Sequence, residues 1–434
     1  MRTSCTICLL LVAACGQQPP AAAPVPAPLA AGEPVAPGEP LQARVDAAAD
    51  GAVLTLLPGR HRGPVRIARG VTLQGTRDAV VVSDGTGTTV RLAGDHSVLR
   101  GITVEGSGDR ADLSDGAVLV AGTGITVEDV LVRGALFGIL AQQSSHIAIR
   151  RNVVVGSGQP ALGLRGDGIR LWETTDSVVE NNVVRDCRDL VVWYSSRNRV
   201  VGNAVTGCRY GTHFMYSHDS VVADNRYVDD VVGLFVMYSH GVQVQRNLLA
   251  RAGGAAGIGL GVKESGDLVV EDNWFVQDTD GVYLDTTPFA NEQHNRFARN
   301  VVRLCDTALH FHASLQRNEF TDNVFADNGA LIAVGGGGDA LGCDFHANWF
   351  DTYRGYDLDG DGSGDVPFEF RRLSSQLTSR YPDLALLQGA PALQAVDLIG
   401  ELLPLFAPRL LLRDPAPRLH EPEGIRPPEV DHAR

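Results

Sequence analysis

Several things are scarce in this 434-residue sequence, and each scarcity excludes something. After the N-terminus no apolar run reaches the roughly 20 residues a spanning helix needs, so a helical membrane channel is excluded. Basic residues are outnumbered, 37 Lys and Arg against 51 Asp and Glu. A net charge of −14 offers a phosphate backbone no counterion release, which excludes nucleic acid as a partner. Low-complexity blocks are missing from the body of the chain: the 49 glycines are spaced among Val, Ile and Leu, so disorder does not govern it. Aromatics amount to only 6% and methionine to three residues, which makes the places where they gather informative.

The N-terminus carries Arg2, an apolar stretch from Ile7 to Val12, and the small residues Ala13 and Ala14 before Cys15. This is the pattern of a secretory signal peptide over residues 1–14, and export follows from it. Leu11-Val12-Ala13-Ala14-Cys15 also resembles a bacterial lipobox, in which Cys15 would be acylated and anchor the chain to a membrane; an ordinary signal peptide is the alternative. Eight prolines lie between residues 17 and 40 among Ala, Gly and Gln, so residues 15–40 read as the anchor cysteine and an extended tether.

The body of the chain is a repeat. Asn followed by an apolar pair recurs at Asn152, Asn182, Asn203, Asn225, Asn247, Asn273, Asn300, Asn323 and Asn348, at steps mostly of 21 to 27 residues. Each repeat also holds a segment of alternating apolar residues, such as Gly168-Ile169-Arg170-Leu171-Trp172 or Gly211-Thr212-His213-Phe214-Met215. Period-two alternation marks strands with one buried face, and short strands stepping by about 22 residues predict an all-β parallel β-helix over residues 41–350. Helical solenoids do not fit, since their spacing is three and four and they tolerate little glycine. The recurrent Asn is expected at a turn, in a left-handed backbone, bonding to the coils above and below.

Both ends of such a stack need a cover. Leu41 to Ala49 predicts an N-terminal cap helix leading into the strand Val53–Leu56. At the other end residues 372–434 form a C-terminal helical segment and tail. There Leu398, Ile399, Leu402, Leu403 and Phe406 make an apolar stripe expected to cap the last coil, or otherwise to dock a partner.

If the second and fourth residues of each alternating segment point inward, the third and fifth form an outer column. Its successive pairs are Arg170/Trp172, Val192/Tyr194, His213/Met215, Phe235/Met237, Gly259/Gly261, Tyr283/Asp285 and His310/His312. Apart from the initiator, both methionines fall at one place in adjacent coils, in His213-Phe214-Met215-Tyr216-Ser217-His218 and Phe235-Val236-Met237-Tyr238-Ser239-His240. Coil stacking brings Met215 to Met237, and His218 to His240, about 5 Å apart. Two thioethers beside imidazoles select copper, Cu(I) in particular, so His213, Met215, His218, Met237 and His240 are candidate ligands; an apolar contact patch is the alternative.

The run Arg209 to Asp219, with Gly259-Leu260-Gly261-Val262-Lys263-Glu264-Ser265 and Gly281-Val282-Tyr283-Leu284-Asp285, closely resembles the NosD family. The segment Gly355 to Gly362 and Arg380-Tyr381-Pro382 resemble it as well, and the likeness covers most of residues 41 to 415. The resemblance implies a periplasmic right-handed parallel β-helix serving copper-centre maturation of nitrous oxide reductase. Its partners would be an ABC transporter membrane subunit, a copper donor protein and the reductase itself, and the protein would not be an enzyme.

Two further constellations remain. Asp357, Asp359, Asp361, Ser363 and Asp365, within residues 351–371, have the spacing of a calcium loop, although Phe368 stands where the twelfth-place Glu belongs; a solvated acidic turn is the alternative. Cys187 and Cys208 each lie five residues after their repeat's Asn, so they are coil neighbours. They would form a disulfide, or stay buried as free thiols, with a thiolate copper site as a third reading. The rival function is a carbohydrate-active lyase or epimerase, for which Lys263, Glu264, Tyr283, Asp285, His310 and His312 would supply an outer accessory site; a metal-free transporter adaptor is a third.

Overall fold

A computed structural model describes residues 29–387, 390–403 and 408–424. The expected signal peptide, Cys15 and the first part of the tether lie outside the described residues, as do Phe406 and the end of the tail.

Short, often β-branched strands separated by corners with one or two left-handed residues stack into three parallel sheets of 14, 13 and 12 strands. A representative coil runs through Tyr210–Met215 in the 12-stranded sheet, Val221–Ala223 in the 14-stranded sheet and Arg226–Val228 in the 13-stranded sheet. Each strand pairs with its counterpart in the next coil, as Met215 with Met237 and Val222 with Val244. The protein is therefore a parallel β-helix. Its interior is one column of apolar side chains, with Ile169, Leu171, Phe214, Val236, Leu260, Leu284 and Phe311 all fully buried as the alternation predicts.

The asparagines do form a ladder, and the details differ from expectation. Asn203 donates from its backbone N and from Nδ2 to Asn225 Oδ1 (2.9 and 3.0 Å), and Asn225 does the same to Asn247 (3.0 and 3.0 Å). The left-handed residue is not the Asn but the one before it: Arg151, Asn181, Gly202, Asp224, Arg246, Asp272, Arg299, Asp322 and Ala347 all have φ between 53° and 68°. The Asn turns its amide inward, where burial demands that every donor find a partner, and the half-buried or exposed residue before it takes the corner's backbone conformation. A second ladder, unforeseen, occupies the corner after the 12-stranded sheet. There Ser195 N donates to Ser217 Oγ, Ser217 N to Ser239 Oγ and Ser239 N to Ser265 Oγ, each at 3.0 Å.

The ends are closed as follows. Helix α1 (Leu41–Ala47) buries Leu41 and Val45, as expected of the cap. Glu33–Val35, within the stretch read as tether, pairs with Val53–Leu56, because Val35 finds a fully buried place at the sheet edge where Pro34 is tolerated. At the far end the cover is not the leucine stripe. Helices α2 (Leu373–Arg380) and α3 (Pro391–Leu402) follow the stack, but Leu398, Ile399, Leu402 and Leu403 are 44–67% exposed. The cap includes an antiparallel strand pair, Phe368–Phe370 with Leu412–Asp414, whose Phe368 ring stacks on Phe350 at 4.0 Å. Asp414 Oδ2 accepts from Asn348 N and Nδ2 (3.0 and 2.9 Å), ending the asparagine ladder with a carboxylate.

Candidate metal centre

Strand register on the outside of the 12-stranded sheet defines two rows. One runs Arg170, Val191, His213, Phe235, Gly261, Tyr283, His310; the other runs Trp172, Trp193, Met215, Met237, Lys263, Asp285. Two of the expected outward pairs are thereby corrected. The coil after Trp172 presents Val191/Trp193, not Val192/Tyr194. Both valines are buried, but only Val192 joins the interior core, and consecutive valines hide that phase in the sequence. The coil at 258–263 presents Gly261/Lys263, not Gly259/Gly261, because its strand begins after an inserted loop and extends to Lys263.

His213, Met215 and Met237 come together on this face. His213 Nε2 lies 3.2 Å from Met237 Sδ, and Met215 is the ladder partner of Met237. His213 is only 7% exposed and is enclosed by rings: Tyr210 at 4.6 Å, Trp193 at 5.4 Å and edge-on, and Phe235 at 6.4 Å. Phe235 can lie flat here because the next coil has Gly261, where a Cβ would meet its ring at 2.5 Å. Burial, reinforced by the charge of Arg209, lowers the pKa of His213 to about 4, so the ring is neutral at physiological pH. Its Nδ1 is buried without a partner. A neutral imidazole has one N–H and one lone pair. If Nε2 carries the proton, the Nδ1 lone pair is orphaned; if Nδ1 carries it, the Nε2 lone pair faces the lone pairs of Met237 Sδ. In the second arrangement a soft cation between Nε2 and the thioethers takes up the opposed lone pairs, while Nδ1–H stays buried and unpaired, and the donor set of one imidazole and two thioethers suits Cu(I).

His218 and His240 lie around the corner from this cluster, beyond the left-handed Tyr216 and Tyr238, whose rings stack at 4.8 Å. Their own rings stack at 4.0 Å. His240 N donates to His218 Nδ1 (3.2 Å), which places the proton of neutral His218 on Nε2 and leaves that ring no free lone pair in this arrangement. Burial and then the charge of His240 lower the pKa of His218. The three histidines do not converge on one point. Among the described residues, the one group of three or more His, Cys, Asp and Glu ligand atoms lying within 4.8 Å of one another is Asp357, Asp359 and Asp361.

That acidic loop closes on its own hydrogen bonds. Asp357 accepts from Gly362 N (2.9 Å) and Gly360 N (2.6 Å), which lower its pKa. Ser363 N donates to Asp361 Oδ1 (2.7 Å), and Asp365 Oδ2 accepts from Leu358 N (2.5 Å). Cys187 and Cys208 are buried free thiols whose pKa values burial pushes up, so neither presents a thiolate to a metal. Among the accessory residues, Lys263 Nζ pairs with Asp285 Oδ2 at 2.9 Å, and Tyr283 stands edge-on to His310 at 5.2 Å. Glu264 takes the left-handed corner position (φ 43°) that Tyr238 takes one coil earlier. The sequence reading missed Trp193 and Tyr210 beside His213, and Asp280 beside His310. Trp193 was traceable from the 21-residue step between Asn182 and Asn203, one shorter than the next.

The model of a family described as "Periplasmic copper-binding protein (NosD)" matches residues 155–341, which span both methionines and the histidines from His213 to His312. A Pseudomonas aeruginosa protein described as "Probable ABC transporter binding protein NosD" is 24% identical over 377 residues, covering 81% of this chain and 84% of its own length. A Stutzerimonas stutzeri protein of the same description is 23% identical, covering 80% and 82%. Among solved structures, the A-module of the Azotobacter vinelandii mannuronan C-5 epimerase AlgE6 superposes with a TM-score of 0.53 at 16% identity, over 72% of this chain and 94% of that one. The catalytic unit of an alpha-1,3-glucanase from Streptomyces thermodiastaticus gives 0.51 at 18%, over 73% and 61%. These two likenesses are of fold alone. The family match across the histidine and methionine coils, together with two relatives aligned over four-fifths of the chain, makes the NosD proteins the family that this chain resembles in sequence.

Proposed function

We propose that the protein is a periplasmic copper carrier that receives Cu(I) on His213, Met215 and Met237 and passes it on for copper-centre assembly in nitrous oxide reductase, working with an ABC transporter. The observation that carries this reading is the 3.2 Å approach of a neutral, ring-enclosed His213 Nε2 to Met237 Sδ, with Met215 alongside. The family description supports copper and the periplasm, and the relatives' descriptions support the transporter. Adjacent turns of a rigid stack preset the ligand spacing, while Met215 and Met237 remain half-buried on the outer face, where a partner's ligands can reach the ion. Lipidation at Cys15 belongs to the same proposal and would hold the carrier at the membrane beside the transporter.

A carbohydrate-active role has less support. Lys263 is tied to Asp285, which raises its pKa and keeps the amine protonated, so it is a poor general base.

The test replaces both methionines by leucine, which keeps size and apolarity while removing the sulfur donors. Met215→Leu/Met237→Leu is expected to fold normally, to lose Cu(I) in competition with a chelator of known affinity, and to fail to load the reductase. Trp193, 5.4 Å from His213, supplies an internal fluorescence reporter that Cu(I) should quench in the parent and not in the variant. Parental copper binding and normal loading by the variant would refute the carrier reading in favour of a metal-free adaptor.

A further inference from the structure

The outer rows continue past Met237, and their donors change from sulfur to nitrogen. His310-Phe311-His312 places two imidazoles on one face of an extended segment, since Phe311 between them is fully buried. The ladder persists to His312, whose N donates to Leu284 O at 2.9 Å. Residues two apart on one strand face are separated by about 6.6 Å, a span that two imidazoles close onto one ion through their distal nitrogens.

Each ring is oriented through its other nitrogen. His310 Nδ1 lies 2.8 Å from Asp280 Oδ2, and His312 Nδ1 lies 3.4 Å from Tyr283 Oη. With Nδ1–H donating to the carboxylate, the lone pair of a neutral His310 sits on Nε2, the arrangement that prepares a histidine for metal ligation. These side-chain contacts of both rings run through Nδ1, on the side away from Nε2. The nearby cation, Lys263, is neutralised by Asp285. His310 keeps 34% of its side chain accessible and His312 is exposed, so an ion there has coordination positions open to water or to a partner.

We propose that His310 and His312 form a second metal site, taking a borderline divalent cation, Cu2+ ahead of Zn2+, through their Nε2 atoms, with Asp280 and Tyr283 as positioning residues. Two imidazoles with no sulfur favour a borderline ion over Cu(I), and Cu2+ outranks Zn2+ at such sites. The site lies four coils beyond His213 in the same row, about 19 Å at the usual strand spacing, so the two sites cannot share an ion.

The experiment titrates the full chain with Cu2+ and, separately, with Zn2+, following Cu2+ by electron paramagnetic resonance. The expected result is one equivalent of Cu2+ with hyperfine coupling to two imidazole nitrogens, and weaker binding of Zn2+. His310→Asn/His312→Asn should abolish that signal, Asp280→Asn should weaken binding about 10- to 100-fold while leaving both ligands in place, and Met215→Leu/Met237→Leu should leave it unchanged. Because the methionine variant reports on the Cu(I) site alone, either site can fail without the other. Persistence of the signal in a folded His310→Asn/His312→Asn chain overturns the proposal, as does its transfer to the stacked pair, shown by loss in His218→Asn/His240→Asn.

Discussion

His213 is a titratable group that the fold keeps uncharged. Its pKa falls from the ordinary 6.5 to about 4, through burial first and the charge of Arg209 second. Between those two values the unfolded chain binds a proton that the native chain does not, so native stability falls as pH falls through this window, by at most about 3 kcal/mol. His213→Asn removes this contribution. Urea unfolding at pH 7 and pH 4.5 should therefore show a smaller pH-dependent loss in the variant than in the parent, and parallel losses would mean another group is responsible. The same burial alters the expectation for copper: a proton competes for His213 only near pH 4, so Cu(I) binding should survive well below pH 6.5, where an exposed imidazole would already be protonated.

Among the elements, the corner ladders carry the registration of the coils. Asn247 Oδ1 accepts from Asn225 N and Nδ2, and its own Nδ2 donates to Asn273 Oδ1 and Val222 O, all at 2.9–3.0 Å. Asn247→Ala leaves at least two donors of Asn225 and one acceptor buried and unpaired, at about 1 to 3 kcal/mol each. A loss of at least about 3 kcal/mol in urea unfolding is expected, and a loss under about 1 kcal/mol would show that water has replaced the amide. This ladder was legible in the sequence because a buried amide tolerates no substitute that bonds in both directions, so the letter recurs. The left-handed corner was not, since the residue before the Asn can be Arg, Asn, Gly, Asp or Ala. Outward rows were legible wherever apolar and polar residues alternate, as at His213 to Met215, and lost phase where valines run together at 191–192 or glycines at 257–261. Tyr194-Ser195, Tyr216-Ser217 and Tyr238-Ser239 recur for a structural reason, the serine ladder, that the copper reading of the same segment concealed. Pairings such as His310 with Asp280, 30 residues apart across one coil, depend on the length of the intervening corners and no local pattern encodes them.

Over the whole molecule, a solenoid whose coils touch only their neighbours should lose stability from its ends inward, and what is done at one end should not be felt far along the stack. Asp414 is the test of this. The strand pair that carries it is contiguous with the interior, Leu411 and Leu412 being almost fully buried, and its carboxylate satisfies the last asparagine, Asn348. Asp414→Ala leaves Asn348 N and Nδ2 without that acceptor, a penalty of about 1 to 3 kcal/mol for each buried group left unpaired. Hydrogen exchange should then quicken in the strands nearest the cap, Asn318–Thr321, Val324–Ala326 and Asp344–His346, while Tyr210–Met215 and Val232–Met237 keep their protection. Cu(I) binding should be unchanged, because the methionine coils lie several turns from the cap. Uniform acceleration along the stack would show instead that the β-helix opens as one cooperative unit, and in that case the cap would control the metal site from a distance.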